Sequence, residues 1–316
     1  MRYLKGILAM SAFDAYCDIE GSIKGTVLID EPMARHTSFR IGGPASLYIE
    51  CATLADISRS LEVLKIHDMP WCIVGKGSNL LVNDSGFKGA VLTLGREFKY
   101  FSFPDEELGE HLLVAGAGVM LSNLVQSAFK GGYSGLEFCV GIPGTFGGAL
   151  FMNAGSSTEW ISTMVDSLTV LRPNQGLVRY EGGQLPWSYR RSGIPVGEVV
   201  VEGSLRVKKG HLPSIRAKME ALQKRRRKEQ PLTVPNGGSI FRNPPDASAG
   251  QLIDSLGLKG FSVGGAHVSE VHANFIVNDG QATAQDVVAL IVHIRERVKE
   301  EYGQELQPEI RFIGFA

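Results

Sequence analysis

Apolar residues recur at helical spacing in five segments of the chain. In residues 53–67 the apolar positions from Leu54 to Leu64 fall on one face, and Thr53 with Asp56 has the spacing of a capping box. The other predicted helices cover residues 119–130, 211–230, 249–257 and 284–302. The last of these has a second capping box and stops at a glycine, which is the expected chemistry of a helix end.

Short runs rich in aliphatic and β-branched residues lie between these helices and are bounded by Gly, Asn, Asp and Ser. Runs of this kind are typical of buried strands joined by tight turns. The predicted strands cover residues 71–74, 80–82, 90–94, 111–118, 167–171, 198–207, 239–242, 273–277 and 309–314. The order of helices and strands predicts a mixed α/β (α+β) fold.

Glycine is unusually frequent, with 38 glycines in 316 residues, about 12% against a typical ~7%. One glycine-rich segment, residues 75–80 (GKGSNL), follows a predicted strand. It lacks the third glycine and the following helix of a Rossmann fingerprint, and it lacks the Gly-Lys-Ser/Thr order of a P-loop. It offers instead a loop of backbone N–H groups, which suits a pyrophosphate.

A second glycine-rich segment, residues 141–148 (GIPGTFGG), lies within the stretch from Cys139 to Gly155. This stretch has too many glycines for a regular element and too many apolar residues for a solvated linker, so we expect a buried, shaped loop. Each glycine-rich segment alone is more simply a set of tight turns. The two together make one large dinucleotide-like ligand an equal alternative, because only glycine lets the backbone approach phosphate oxygens so closely.

Charge and hydropathy exclude two classes of protein. The 32 Lys and Arg residues against 33 Asp and Glu give a net charge of -1. The chain therefore lacks the excess of basic residues that is typical of a nucleic-acid-binding protein. The basic run at 224–228 (KRRRK) is expected to be a solvated helix end, with a pyrophosphate clamp as the alternative. No stretch approaches the roughly 20 apolar residues of a membrane-spanning helix, so we expect a soluble, cytoplasmic protein.

The four cysteines are Cys17, Cys51, Cys72 and Cys139, and none are in CxxC spacing. We therefore expect buried free thiols rather than disulfides or a zinc site. The N-terminal residues 1–17 have two basic residues and a short apolar run, but this run is too short and interrupted for a signal peptide. We expect a short N-terminal extension.

Seven motifs then occur in order along the chain: RHTSFRIGGPA (35–45), GKGSNLLVNDSGFKG (75–89), GLEFCVGIPGTFGGALFMNAG (135–155), SYRRS (188–192), GGSIFRNP (237–244), AHVSEVHANFIVN (266–278) and PEIRFIG (308–314). Together they closely resemble the UDP-N-acetylenolpyruvoylglucosamine reductase family of flavoenzymes, also called UDP-N-acetylmuramate dehydrogenases. The resemblance covers residues 25–315.

The resemblance implies a vanillyl-alcohol-oxidase-type FAD-binding unit of two α/β subdomains, followed by an α+β substrate domain. The implied limits are an N-terminal extension (1–22), an FAD-binding domain (23–207, with a subdomain boundary near 85–95), a substrate-binding domain (208–308) and a C-terminal strand (309–316) that returns toward the FAD unit. FAD is expected to bind non-covalently between the two glycine-rich segments, with NADPH as co-substrate. We expect a monomer.

The implied reaction is reduction of UDP-N-acetylglucosamine enolpyruvate to UDP-N-acetylmuramate for peptidoglycan synthesis. Hydride from the flavin reaches the enolpyruvyl β-carbon, and negative charge develops on the adjoining carboxylate. Arg190 in SYRRS matches the family's arginine, whose guanidinium can hold that carboxylate bidentately. Ser239 in GGSIF matches the proton donor to the α-carbon, and Glu309 in PEIRF matches the third catalytic residue. Without the resemblance, these would be a surface cation and two ordinary strand residues.

The resemblance also assigns ligand contacts. The residues expected to bind the cofactor are Gly75, Lys76, Gly77, Ser78, Asn79, Leu80, Gly141, Ile142, Pro143, Gly144, Thr145, Gly148, Asn153, Ala154 and Gly155. The residues expected to contact the substrate are Tyr189, Asn243 and His272. His272 with the nearby His267 and Glu270 matches no zinc spacing, so no metal is expected.

The chain departs from the family pattern at residues 156–160 (SSTEW), and its short interval between Ser239 and Glu309 resembles the subclass without a substrate-capping tyrosine. Two alternatives stay open beside the reductase. One is an FAD-dependent sugar or alcohol oxidoreductase on the same fold, and the other is a non-catalytic nucleotide-binding module. The presence of all three catalytic positions favours the reductase.

Overall fold

The computed structural model describes residues 12–104, 112–156 and 158–315, and the chain divides into two units. The first unit is drawn from Met1–Ile29, Leu47–Gly75 and Gly89–Lys224, and the second from Asp30–Ser46, Lys76–Lys88 and Arg225–Ala316. Each unit is therefore assembled from three separate stretches of chain. The domain limits that the resemblance implies stay a prediction.

Helices and strands alternate along the described residues, which confirms the mixed α/β class. The helices are α1 (which includes residues 12–19), α2 (Leu54–Ile66), α3 (Leu121–Lys130), α4 (Phe146–Phe151), α5 (Leu212–Glu229), α6 (Ala249–Ser255) and α7 (Ala284–Tyr302). The strands are β1 (Thr26–Pro32), β2 (Pro44–Cys51), β3 (Trp71–Ile73), β4 (Leu80–Val82), β5 (Phe87–Leu94), β6 (Phe101–Ser102), β7 (Leu112–Gly116), β8 (Tyr133–Ser134), β9 (Val165–Arg172), β10 (Gly176–Glu181), β11 (Val199–Arg206), β12 (Lys208–Lys209), β13 (Asn236–Ser239), β14 (Ser262–Val263), β15 (Ala266–Val268), β16 (Phe275–Asn278) and β17 (Arg311–Ile313).

A five-stranded antiparallel sheet, in the order β10-β9-β11-β7-β6, carries the larger core of the first unit. Helix α4 packs on β11 at Gly203, where a Cβ would lie only 2.8 Å from Leu150 Cδ1. Phe146 and Leu150 of α4 have no exposed surface. The glycine on the sheet thus lets a short helix lie close against it, and this helix begins within the second glycine-rich segment.

Helix α2 belongs to a second core of the first unit, beneath the sheet ordered β1-β2-β5-β3. Ile57 and Leu64 have no exposed surface, as the apolar spacing predicts. The predicted capping box is present, because Asp56 N–H donates to Thr53 Oγ1 and Thr53 N–H donates to the Asp56 carboxylate. That carboxylate also accepts hydrogen bonds from the backbone N–H groups of Lys24 and Ala52, at 3.1 and 2.8 Å.

Asp56→Asn should lower the free energy of unfolding by about 1–3 kcal/mol at pH 7, since a single amide oxygen cannot accept all of these bonds. Burial alone would raise the pKa of Asp56, but the hydrogen bonds from Thr53, Lys24 and Ala52 outweigh it and lower this pKa. The stabilisation is therefore full above about pH 4 and is lost as the pH falls through the lowered pKa.

Urea unfolding of wild type and Asp56→Asn at pH 7 and near pH 2 would measure this difference. The control is Asp68→Asn, which removes an exposed carboxylate just after α2 and should change little. A deficit of Asp56→Asn that is as large near pH 2 as at pH 7 would contradict the assignment.

The second unit packs α6 and α7 on the antiparallel sheet ordered β13-β16-β15-β14, and β17 runs parallel to β4. Its core draws on all three of its stretches, because Phe39, Leu81 and Leu290 come one from each and have no exposed surface. Gly237 is needed here, since a Cβ would overlap the ring of Phe39. Glycine at position 237 thus allows the backbone before Ser239 to pack closely on the Phe39 ring.

Helix α7 begins at the predicted capping box of Thr283 and Asp286 and ends at Gly303, which has φ +65°. Asp84, in the loop after β4, adds a second cap. Its carboxylate accepts hydrogen bonds from the N–H groups of Ala284 and Gln285, at 2.8 and 3.1 Å. The start of α7 is thus fixed by a residue two hundred positions earlier in the chain.

Three expectations from the sequence are wrong in detail. The segment predicted to hold no regular element contains α4, because Thr145 caps it and Gly203 gives it room on the sheet. The strand predicted at 239–242 instead ends at Ser239, and Phe241 forms an isolated bridge with Pro308. Strands β1 and β10 were not predicted; both lie at sheet edges, and most of their positions are exposed, so neither shows a clear alternation of buried apolar and exposed polar residues.

The cysteines match the expectation only in part. All four are free, and Cys51 and Cys139 are buried. Cys17 is exposed and Cys72 is partly exposed, against the prediction of buried thiols. Burial raises the pKa of Cys51 to about 12, so its thiol stays protonated and unreactive at neutral pH. None of the helices in the described ranges is long and apolar enough to cross a membrane.

Candidate functional site

The first glycine-rich segment joins β3 to β4, and the boundary between the two units falls between Gly75 and Lys76. Within the second unit, Gly77 is buried with φ +68°, a left-handed conformation that glycine adopts most easily. Its carbonyl accepts a hydrogen bond from Ser38 N–H at 3.0 Å. A Cβ at this position would overlap the carbonyl oxygen of His36. The motif around His36 and the glycine loop are therefore packed backbone against backbone.

Several backbone N–H groups of this loop are available to a ligand. Considering only the described residues, the N–H groups of Lys76, Gly77 and Asn79 donate to no protein acceptor. Gly77 is buried, and a buried N–H needs an acceptor. Neighbouring N–H groups form concave sites for phosphate oxygens. The loop therefore fits the pyrophosphate of the expected FAD.

Gly77→Ala should weaken FAD binding by at least tenfold, because the loop must move away from His36 to admit a methyl group. It should also lower the free energy of unfolding by more than the roughly 1–2 kcal/mol of a left-handed alanine alone. The matched control is Gly257→Ala in the same unit, where φ is +66° and a Cβ would meet nothing within 4 Å. FAD titration and urea unfolding would measure both effects, and equal losses in the two variants would refute the role of the His36 contact.

The second glycine-rich segment lies in the first unit and leads into α4. Thr145 caps that helix, since its Oγ1 accepts a hydrogen bond from Gly148 N–H at 3.3 Å. The Gly144 carbonyl accepts a hydrogen bond from Leu121 N–H at 3.0 Å, which fixes the segment beside α3. Over the described ranges, the N–H groups of Gly141, Gly144 and Thr145 have no protein acceptor. This segment too presents backbone donors without blocking side chains.

Gly75 and Thr145 lie side by side within the first unit. A Cβ on Gly75 would overlap Thr145 Oγ1, so the end of β3 and the start of α4 lie against each other. Glycine at position 75 therefore allows the end of β3 to approach Thr145 closely.

Arg190 lies in a tight turn of the first unit. Ser188 N–H donates to the Arg191 carbonyl at 2.9 Å, and Arg191 N–H donates back to the Ser188 carbonyl at 3.1 Å. Arg190 has φ +57°, which is uncommon outside glycine and asparagine. Its Nη1 donates to the Gly155 carbonyl at 3.1 Å, and its guanidinium lies 5.3 Å from the ring centroid of Tyr189. The predicted catalytic arginine is thus joined to the predicted cofactor-binding residue Gly155.

Ser239 and Glu309 are brought together in the second unit. Glu309 N–H donates to the carbonyl of Ile240, the residue after Ser239, at 2.7 Å. Asn79 Nδ2 donates to the Glu309 carbonyl at 3.2 Å. Ser239 is half-buried at the end of β13, and the preceding Gly238 has φ +79° with no side-chain neighbour near a Cβ. Two predicted catalytic residues and one from the first glycine-rich segment therefore share one locality.

Asn274 is a residue that the sequence reasoning missed. It is buried, and its side-chain amide accepts from Phe241 N–H at 2.9 Å and donates to the Phe241 carbonyl at 2.8 Å. The Asn274 carbonyl also accepts from Ile240 N–H at 2.8 Å. This side chain replaces a missing strand partner and fixes the backbone just after Ser239. An asparagine two residues after His272 gives no signal of this in the sequence.

Asn243 and His272, predicted to contact the substrate, make contacts within the second unit. Asn243 Oδ1 accepts a hydrogen bond from Ala249 N–H at 3.0 Å, at the start of α6. His272 Nδ1 accepts from Asn274 N–H at 3.1 Å. Burial, and then the nearby charge of Lys259, lower the pKa of His272, so its imidazole is neutral at pH 7. Contact of these two side chains with the substrate stays a prediction.

The predicted site residues divide between the units. The first unit holds Gly75, Gly141, Ile142, Pro143, Gly144, Thr145, Gly148, Asn153, Ala154, Gly155, Tyr189 and Arg190. The second unit holds Lys76, Gly77, Ser78, Asn79, Leu80, Ser239, Asn243, His272 and Glu309. No cluster of three or more His, Cys, Asp or Glu side chains that would suit a metal ion occurs in the residues that the structure describes.

Known protein families match two long stretches of this chain. Residues 45–180 match the family described as FAD binding domain, and residues 230–313 match the one described as UDP-N-acetylenolpyruvoylglucosamine reductase, C-terminal domain. The chain is 44% identical over 298 residues to the UDP-N-acetylenolpyruvoylglucosamine reductase of Heliobacterium modesticaldum, covering 94% of this chain and 93% of that protein. It is 40% identical to the reductase of Anoxybacillus flavithermus, over 92% of this chain and 95% of that one.

A solved structure gives the same relation. The crystal structure of UDP-N-acetylenolpyruvylglucosamine reductase from Thermus caldophilus is similar to this chain with a TM-score of 0.79 and 34% sequence identity. The match covers 92% of this chain and 99% of that one. The family resemblance carried by the seven motifs is thereby confirmed.

Proposed function

Because the chain belongs to the UDP-N-acetylenolpyruvoylglucosamine reductase family, we propose that Arg190, Ser239 and Glu309 carry its catalytic step. The protein is an FAD- and NADPH-dependent oxidoreductase of peptidoglycan synthesis that makes UDP-N-acetylmuramate. The observation that carries the proposal is the hydrogen bond from Glu309 N–H to the Ile240 carbonyl, which joins the segments of Ser239 and Glu309 across 69 positions of sequence.

The two glycine-rich segments are the proposed FAD site. The backbone donors of Gly77 and Asn79, and those of Gly141 and Gly144, support this assignment, because each set is available to phosphate oxygens. FAD held by these backbone donors would supply to the β-carbon of the enolpyruvyl group the hydride that NADPH provides. The protein's task is then to hold the substrate, to stabilise charge on it and to provide a proton.

Arg190 is proposed to hold the enolpyruvyl carboxylate. A guanidinium presents two parallel N–H donors that match the two carboxylate oxygens. Because negative charge grows on this carboxylate during the reaction, the same contact is stronger in the transition state than in the bound substrate, and this difference accelerates the reaction. The fixed turn around Arg190 supports this role, since it limits the positions of the guanidinium.

Ser239 is proposed to hold, at Oγ, the proton that the α-carbon receives. A serine hydroxyl is a weak acid, but a carbanionic carbon is a strong base, so position matters more than acidity. The hydrogen bonds of Asn274 support this role, because they fix the backbone of the two residues that follow Ser239. Glu309 is proposed to stabilise or protonate the same intermediate beside Ser239. Its backbone bond to Ile240 is the supporting contact.

The finer properties are proposals as well. NADPH and UDP-sugars are metabolites of the cytoplasm, so we propose that the enzyme works there, and we propose that it is a monomer. Substrate contacts by Tyr189, Asn243 and His272 are proposed on the motif match alone. The half-exposed Tyr189 ring, beside the Arg190 guanidinium, suits a contact with a ligand held by that arginine.

The test is a two-step titration of the purified protein, followed by visible absorbance without oxygen. We expect yellow protein that NADPH bleaches and that UDP-N-acetylglucosamine enolpyruvate recolours, with UDP-N-acetylmuramate as the product. UDP-N-acetylglucosamine, which lacks the enolpyruvyl group, is the control and should restore no colour. Bleaching of the oxidised flavin by a simple sugar or alcohol, or failure of the enolpyruvyl compound to recolour the reduced protein, would refute the assigned substrate.

A further inference from the structure

Asn153 is a buried residue of the first unit in an unusual backbone conformation. It has φ +44°, and its side chain is 3% exposed. Both ends of its amide are used within the protein. Nδ2 donates to the Ser188 carbonyl at 2.9 Å, and Oδ1 accepts from Ser162 N–H at 3.2 Å. The side chain that was expected to touch the cofactor is therefore occupied in joining two loops.

The Ser188 carbonyl belongs to the turn that carries Arg190. That turn is closed by the pair of backbone hydrogen bonds between Ser188 and Arg191, and Arg190 itself is left-handed. A left-handed arginine persists only when its surroundings impose the conformation, and such residues cluster at active sites. The turn therefore needs an external anchor.

The segment at 151–155 supplies this anchor along its length. Ser192 N–H donates to the Phe151 carbonyl at 3.3 Å, and Arg190 Nη1 donates to the Gly155 carbonyl at 3.1 Å. Asn153 lies between Phe151 and Gly155 in sequence. It contacts the turn through its side chain, whereas Phe151 and Gly155 contact it through their backbone carbonyls. Phe151 closes α4, so the anchor is continuous with a helix that is packed on the five-stranded sheet.

We propose that Asn153 is a positioning residue for Arg190, which sets the direction of the guanidinium through the Ser188 carbonyl. The inference rests on the proposed role of Arg190 as the carboxylate ligand. A bidentate contact depends on both the place and the plane of the guanidinium, and a displacement of about 1 Å at a reacting centre can slow a step by about 100-fold. Asn153 acts here on geometry and makes no contact with the substrate.

Two variants of Asn153 keep the backbone conformation and change the amide. Asn153→Gly removes both hydrogen bonds but tolerates a positive φ. Asn153→Asp keeps an oxygen that accepts from Ser162 N–H. It loses the N–H that donates to the Ser188 carbonyl and places a carboxylate oxygen opposite that carbonyl. The matched control is Asn174→Gly, because Asn174 is also left-handed, with φ +63°, but lies exposed in the turn between β9 and β10.

The measurements are the two half-reactions of the flavin and the affinity for UDP-N-acetylmuramate by calorimetry, each in the wild-type and Arg190→Ala backgrounds. We expect Asn153→Gly and Asn153→Asp to slow reoxidation by the enolpyruvyl substrate by about 10–100-fold, to weaken product binding and to leave reduction by NADPH within about twofold. In the Arg190→Ala background the same changes should alter reoxidation and product affinity less than about twofold, since contacts that act as one unit are not additive.

The positioning role of Asn153 and the role of Arg190 are refuted by different results. Losses that add in full to those of Arg190→Ala, or equal losses in both half-reactions, overturn the positioning role and leave the proposed function standing. Wild-type reoxidation in Arg190→Ala refutes the role of Arg190, and with it this inference. If Asn153→Gly does not hold FAD, Asn153→Asp decides, because it keeps the anchor to Ser162.

Discussion

Ser239→Ala should leave the reduction of bound flavin by NADPH at the wild-type rate and slow its reoxidation by UDP-N-acetylglucosamine enolpyruvate by about 10²–10⁴-fold. Hydride transfer from NADPH needs no proton on the substrate, so the hydroxyl has no part in the first half-reaction. In the second, the α-carbon must take a proton as charge builds. Stopped-flow absorbance of the flavin measures both rates on one sample.

Ser262→Ala is the control for this change. Ser262 is an exposed serine on β14 of the same unit, and its Oγ bonds only to the nearby Gly260 carbonyl. We expect wild-type rates in both half-reactions. Reoxidation of Ser239→Ala in deuterated solvent gives a second measurement, since the remaining slow step should place solvent deuterium on the α-carbon without a fixed stereochemistry. Equal losses of the two half-reactions in Ser239→Ala would reject proton donation.

Arg190→Ala should slow the same reoxidation by about 10²–10³-fold, which is the loss seen when one preorganised donor to a developing anion is removed. It should also weaken binding of UDP-N-acetylmuramate by about 10–100-fold, because a charge-assisted contact to a carboxylate contributes roughly 1.5–3 kcal/mol. Arg190→Lys should recover only a part of the rate, since an ammonium group carries the charge without the two parallel donors.

The adjacent Arg191 provides the control for this second prediction. It is exposed, while Arg190 is half-buried and bonded to the Gly155 carbonyl. Arg191→Ala keeps the backbone bonds of the turn and should retain rate and affinity within about twofold. Loss of activity in Arg191→Ala with retention in Arg190→Ala would show that the wrong member of the SYRRS pair had been assigned.

The elements that the sequence predicts best are those with a strong internal signal. Helices α2 and α7 have apolar stripes and capping boxes, and both begin at the expected threonine. Strand β2 was not predicted, although its apolar residues Ala45, Leu47 and Ile49 alternate along the sequence and are buried. Helix α4 has no clear signal in its own sequence. The space that it occupies on the sheet depends on Gly203, which lies on β11, more than 50 residues later in the chain.

The candidate site follows a similar division. The motifs identify Arg190, Ser239 and Glu309 through a family resemblance, and periodicity alone would have left them unremarked. What the motifs do not contain is the support around those residues. Asn153 and Asn274 act through side-chain hydrogen bonds to backbone that is far away in sequence, and no local pattern reports such a partner. The structure was needed to find both.

No single continuous stretch of the sequence contains the second unit. Its fully buried Phe39 and Leu81 are translated long before the helices they pack against, and α7 is capped by Asp84. During synthesis these early residues must wait, with apolar surface uncovered, until the ribosome has released nearly the whole chain. A fragment starting near residue 225 would lack part of its own interior and should aggregate. This unit is therefore expected to fold late in synthesis.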